Sequence, residues 1–180
     1  MKFSPTPQKK EAGFVSGLLL LLSIVSFMFS GIDVMPTLPL QLISLVCAVA
    51  GVYVATRYIF TSFTYSIEAK NRGALSQALS AEDVDFCVAK TQGSRPPVTE
   101  CRLSLDTLTK VQPYSDSLIS GLRQKHGKVA LYHYTASMIS PKRHALIFDD
   151  RGECICVVIE ADERFINTLS SYIRITDAEI

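Results

Sequence analysis

At 180 residues, 48% of them hydrophobic, the chain has room for one compact domain beside any membrane segment. A balance of 18 Lys+Arg against 17 Asp+Glu excludes the global basic field of a nucleic-acid binder. The five cysteines are an odd number, so they do not form a closed set of disulfides.

Residues 1–12 read as a short basic tail carrying Lys2, Lys9 and Lys10. Residues 13–58 hold two apolar runs broken by a polar turn. Gly13 to Phe29 contains no charge, and extended to Gly31 it comes close to the roughly 20 residues needed to cross a 30 Å hydrocarbon core. Leu38 to Tyr58 is charge-free until Arg57, with Gln41 its one strongly polar side chain. Buried helices of a soluble protein would show a polar face, and neither run has one. A pair of membrane-spanning helices is therefore expected. The connection, with Gly31, Pro36 and Pro39, is so short that they must be antiparallel neighbours.

Ser44, Ala48, Gly51 and Ala55 recur at helical spacing, and Gly13 with Gly17 forms a G-x-x-x-G. Such small-residue faces let backbones approach closely in lipid, so these six are the candidate helix-packing residues. Lys and Arg flank the outer ends of the runs while the turn carries only Asp33, which puts both termini on the cytoplasmic side of the cell membrane. A cleaved signal peptide fits less well, because Met28 and Phe29 crowd the place where small residues would mark cleavage. On this orientation the cysteines of the following domain are free thiols in a reducing compartment.

Residues 59–180 then read as one cytoplasmic domain joined to the second helix without a linker. Ile59 to Glu68 alternates through Phe63, Tyr65 and Ile67, the pattern of a half-buried strand. Asn71-Arg-Gly73 suggests a turn and Ala74 to Ala81 a short helical piece. Strands are expected over Asp83 to Thr91 and Thr99 to Leu105, with a phase slip near Asp106 that implies a bend or bulge before Leu108 and Val111. Pro113 to Gly127 is polar, with at most a helical turn around Leu118 to Leu122. Lys128 to Ala136, Arg143 to Phe148 and Glu153 to Glu160 follow as strands. The last is nearly continuously apolar, so both its faces should be covered. Asp162 can N-cap a final helix with Phe165, Ile166, Leu169, Tyr172 and Ile173 on one face.

The fold class expected is a membrane α-hairpin plus an α+β domain. The order of about seven antiparallel strands and a C-terminal helix resembles the pleckstrin-homology-like (PH-like) barrel. More narrowly, the residues Phe63-Thr-Tyr-Ser-Ile67, Cys101 to Val111 and the strand-helix end Cys154 to Ile173 resemble bacterial PH-like proteins of the YcxB-like kind. In these a two-helix anchor leads straight into the domain. The resemblance brings no catalytic residues, and a fold alone does not name a task.

The side chains support no specific chemistry. Cys101, Cys154 and Cys156 with His133 or His144 lack the close thiolate pair of a structural zinc site, and buried cysteines acting as small hydrophobes explain them better. His126, His133 and His144 stand at no catalytic spacing, and neither G-x-S-x-G nor H-E-x-x-H occurs. No enzyme activity, metal or cofactor is implied. Lys70, Arg72, Lys90, Arg95, Lys142 and Arg143 fall in or near loops and are the candidates for anionic lipid, with Ser137 to Ser140 as an apolar tip beside the last two. Two readings follow: an interaction module that docks a protein partner or self-associates, or a domain that binds lipid headgroups through its basic loops.

Overall fold

The computed structural model describes residues 1–5, 9–31, 37–70, 83–138, 140 and 142–173. The Asn71–Gly73 turn and the Ala74–Ala81 helical piece lie outside them, as do Asp33, Pro36 and Arg72. The chain divides into two compact units. One comprises Met1–Pro5, Phe63–Thr135 and Ser140–Ile180; the other comprises Thr6–Ser62 and Ala136–Ile139.

The second unit is the helical hairpin. Helix α1 runs Lys9–Phe29 and α2 runs Thr37–Val54, continued by a π-helical turn over Ala55–Ile59. The runs Lys9–Phe29 and Thr37–Ile59, of 21 and 23 residues, are long and apolar enough to cross a membrane. The hydroxyl of Thr56 turns back onto the Val52 carbonyl at 2.8 Å, and Thr61 donates to the Thr56 carbonyl at 2.8 Å. The Thr61 bond satisfies a backbone acceptor in the last turn that the end of a helix otherwise leaves open.

The first unit is α+β. Strands β1 (Lys2–Phe3), β2 (Thr61–Ala69), β3 (Val84–Gln92) and β4 (Val98–Ser104) form one sheet in that order. Strands β5 (Leu108–Pro113), β6 (Val129–His133), β7 (Arg143–Asp150) and β8 (Glu153–Glu160) form a second, in the order β5-β7-β8-β6. Helix α3 (Asp116–His126) lies between β5 and β6, and α4 (Glu163–Ser170) follows β8.

The main core sits between the sheets. Inward residues at period two supply it: Phe63, Tyr65 and Ile67 from β2, Val84, Phe86 and Val88 from β3, Leu146 and Phe148 from β7, Val157 and Ile159 from β8. Phe165 and Leu169 of α4 are fully buried in the same cluster, and Asp162 caps α4 by accepting from the Phe165 N–H at 2.8 Å. Aromatic rings run through the core from one sheet to the other. Phe3 meets Tyr65 at 6.3 Å between centroids, Tyr65 meets Phe86 at 6.5 Å, and Phe86 meets Phe148 at 6.2 Å. Tyr65 also joins the sheets by its hydroxyl, which donates to the Tyr134 carbonyl and accepts from the Glu160 N–H at 3.3 Å.

The strand positions agree with the sequence pattern to within a few residues, and the two-sided burial of β8 is found. The domain differs from the expected barrel of about seven antiparallel strands. Among the described residues eight strands form two four-stranded sheets with no closed barrel, and β6 runs parallel to β8. Connectivity explains the parallel pair. β5 is antiparallel to β7 and β7 to β8, so β5 and β8 point the same way. Helix α3 carries the chain across to the far edge, and β6 re-enters in the direction of β5. The polar stretch expected to hold at most one helical turn is thus an 11-residue helix, N-capped by Ser115, which accepts from the Leu118 N–H at 3.3 Å. The expected phase slip is real. A 3₁₀ turn over Leu105–Thr107 separates β4 from β5, and the register then shifts between Leu108 and Lys110.

Tyr65→Phe removes one oxygen and with it the part-buried hydrogen bonds to the Tyr134 carbonyl and from the Glu160 N–H. Urea unfolding should show a loss of about 1–3 kcal/mol with an unchanged m-value. Stability equal to the parent would mean that the hydroxyl does not join the sheets.

Candidate functional site

The hairpin is packed through small and hydroxylated residues. On α1 the buried positions are Ala12, Ser16, Ser23 and Ser26, with half-buried Leu19 between them, and Ser30 just past its end is buried too. Their spacing of four and three is the 3.5-residue period that keeps one seam against a neighbouring helix. On α2 Ser44 and Gly51 are buried and Ala48 half-buried, as is Ala55 at the start of the π-helical turn. Ser16 donates to the Gly51 carbonyl at 3.0 Å, and the hydroxyls of Ser23 and Ser44 share a hydrogen bond of 3.2 Å. A Cβ at Gly51 would stand 3.0 Å from Leu20 Cγ, whereas a Cβ at Gly13 or Gly17 would meet nothing within 4 Å. The close approach therefore rests on Gly51 and the serines, with Gly13 and Gly17 away from the helix contact. Ser16, Ser23 and Ser30 recur every seven residues, a signal that the more familiar glycine pair hid.

The outward faces are the reverse of a soluble helix. Phe14, Leu21, Ile24, Phe27 and Met28 of α1 and Leu38, Leu42, Val46 and Tyr53 of α2 are exposed, while serines are buried. The exposed apolar band covers both helices.

The described candidates Lys70, Lys90, Arg95, Lys142 and Arg143 do not form one patch. The Lys70 N–H donates to the Asp83 carbonyl, so Lys70 lies where β2 ends and β3 begins. Its ammonium stands 3.7 Å from Asp85 and donates to the Ser104 hydroxyl. Asp85 also holds Arg102 at 3.1 Å, and Arg102 reaches Glu68 at 3.8 Å. Lys90 is at the other end of β3, roughly 17 Å away along the strand, and pairs with Glu100 at 3.2 Å. Arg95 is exposed in the turn between β3 and β4. Lys142 is exposed and Arg143 half-buried at the start of β7, in the second sheet. Ser137 is buried, and Ala136–Ile139 groups with the hairpin unit.

The five cysteines are free. Burial, with Cys87 nearby, pushes the Cys101 thiol up to about 11; burial, with Cys154 nearby, does the same for Cys156. Burial also raises Cys87 and Cys154. Protonated thiols are poor nucleophiles and poor metal ligands. Among the described residues no group of three His, Cys, Asp or Glu side chains is placed to hold a metal ion. Burial holds the His144 imidazole below its ordinary 6.5, against the opposing effects of a hydrogen bond to the Lys142 backbone and the Glu163 carboxylate.

No family model, no curated protein and no solved structure matches the chain.

Two outcomes are expected. In detergent-solubilised full-length protein, Gly51→Val should lower hairpin stability by about 1–3 kcal/mol through overpacking, and Gly17→Val should cost clearly less. Equal effects at the two glycines would overturn the seam. For His144, the unfolded chain takes up its proton near 6.5 while the folded chain does so lower. Its contribution is fully present above about pH 6.5 and is lost as pH falls through the folded value. The difference in Tm between the parent and His144→Phe should therefore change across that window; a pH-independent difference would contradict the burial argument.

Proposed function

We propose that the chain is a membrane-anchored PH-like interaction module, whose hairpin crosses the cell membrane and whose domain docks a protein partner or a second copy at the cytoplasmic face. The observation that carries this reading is the pairing of β1 with β2. Lys2 lies opposite Ser66 and Phe3 opposite Tyr65, and the N-terminal ammonium donates to the Ile67 carbonyl at 2.9 Å. The chain leaves a sheet, runs through two long apolar helices and returns to the same sheet. Two crossings satisfy that constraint and one does not. The exposed apolar band on the helices supports lipid as their surroundings, and Lys2, Lys9, Lys10 and Arg57 against a turn lacking Lys and Arg support the cytoplasmic side.

Docking is supported by the end of the first sheet. Among the described residues β4 is its last strand, and Val98 at its start is 62% exposed. An open edge offers backbone donors and acceptors that a partner strand can complete. The kinship with YcxB-like PH domains rests on the order of elements, two apolar helices, then sheets, then a terminal helix over the core. Lipid binding by the basic loops is the weaker reading, because Lys70 and Lys90 already face Asp85 and Glu100.

Cysteine probes test the arrangement. In a background without native cysteines, Asp33→Cys should react with an impermeant maleimide in intact cells, and Ser94→Cys should react only after lysis. Labelling of Ser94→Cys from outside would overturn the cytoplasmic assignment. A photo-crosslinker at Thr99 should trap one specific band in native membranes; monomer alone at every dose would sink the docking claim.

A further inference from the structure

A groove of about 400 Å³ lies between α3 and β5, wholly inside the α+β unit. Its volume is in the range of small-molecule sites. Three cationic or potentially cationic side chains line it, Lys110 from β5 and Lys125 and His126 from the last turn of α3, and no carboxylate does. Lys70 and Lys90 of the first sheet, by contrast, face acidic partners.

The backbone aims these groups. The register of β5 against β7 shifts at Thr109, so Leu108 and Val111, three residues apart, both serve the main core. The extra residue turns Lys110 and Gln112 onto the side of α3, a re-aiming that β-bulges commonly perform. The Thr109 hydroxyl proton is committed to the Ile147 carbonyl at 2.9 Å and the Ser117 hydroxyl shares a hydrogen bond of 3.0 Å with that of Ser115, so the donors left for a ligand are Lys110, Lys125, His126 and Gln112. Leu118, Leu122 and Ile147 make the apolar part of the lining.

Gly121 provides an independent sign. It sits inside α3, where glycine costs roughly 0.5–1 kcal/mol relative to alanine. Its φ is not positive and a Cβ there would meet nothing within 4 Å, so neither backbone geometry nor packing requires it. What its missing side chain does is leave the groove wall bare.

The geometry points to a binding site for a phosphate monoester, with Lys110 and Lys125 taking the phosphate and the leucines taking the organic part. A monoester carries about −1.5 to −2 charges and three strong acceptor oxygens, which two lysines with His126 and Gln112 match. A single carboxylate would leave one lysine uncompensated. Lysine serves such groups as a point charge and His126 offers an N–H in either charge state.

The test uses the full chain in zwitterionic micelles, reading the amide shifts of Gly121 and Gln112. The probes are inorganic phosphate, glycerol 3-phosphate and a short-chain phosphatidic acid, with glycerol as control. Saturable shifts confined to α3 and β5 support the site; saturation by the soluble ester assigns a soluble ligand, and saturation by the lipid alone assigns a lipid phosphate. The double variant Lys110→Ala/Lys125→Ala should weaken binding at least about tenfold, the loss of one or two charge-assisted hydrogen bonds. Gly121→Leu should block it with α3 still helical by circular dichroism. No saturable shift with any phosphate probe, or equal affinity in the lysine double variant, would overturn the proposal.

Discussion

Strand β8 is apolar on both faces, and the domain is arranged around hiding both. Val157 and Ile159 enter the main core between the sheets, while Cys156 and Val158 face a second cluster built with Ile119 of α3 and Ala145 of β7. A strand at the edge of a barrel with one wet face would leave the second set in water, at a cost of roughly 25 cal/mol for each Å² left exposed. Covering it requires an element outside the second sheet, and α3 is that element. Its Leu118 and Leu122 pack on the cluster, and Val129 and Leu131 of β6 complete it. Once a helix covers that face between β5 and β6, β6 arrives at the far edge running parallel to β8. The parallel pair, the two-layer core and the groove beside α3 are consequences of one burial problem.

The hairpin is built in the reverse sense, with its apolar side chains outward. Its interior is made of alanine, serine and glycine and its exterior of leucine, valine and phenylalanine. In water this arrangement would leave the apolar band bare and spend hydroxyls on a helix contact. In lipid the outward side chains need no cover, and close packing with interhelical hydrogen bonds is what draws helices together. Ser16 on the Gly51 carbonyl and Ser23 on Ser44 supply that draw at two levels of the seam.

Charge is spent locally across the first sheet. Lys70, Asp85, Arg102 and Glu68 form a chain of pairs on neighbouring strands, and Lys90 with Glu100 repeats the device farther along. Such exposed pairs contribute little to stability, but they remove the free positive field that a membrane-reading surface needs. The lining beside α3 carries Lys110, Lys125 and His126 with no carboxylate, and a bulge shifts Lys110 out of the phase that the strand would otherwise keep.

Elements with a strong local period were determined by the sequence itself. Two apolar runs without a polar face, the alternation Phe63-Tyr65-Ile67, the unbroken strand Glu153–Glu160 and the Asp162 cap each follow from local chemistry and recur in the structure. Tertiary structure decided what depends on partners distant in the chain. Phe3 and Lys2 are too short a run to announce a strand, and only β2 makes them one. Helix α3 is polar on most of its surface, so its few apolar residues read as a turn until β8 gives them a face to cover. The serine seam and the groove were equally hidden, because spacing names which residues share a face but not which face another element will meet.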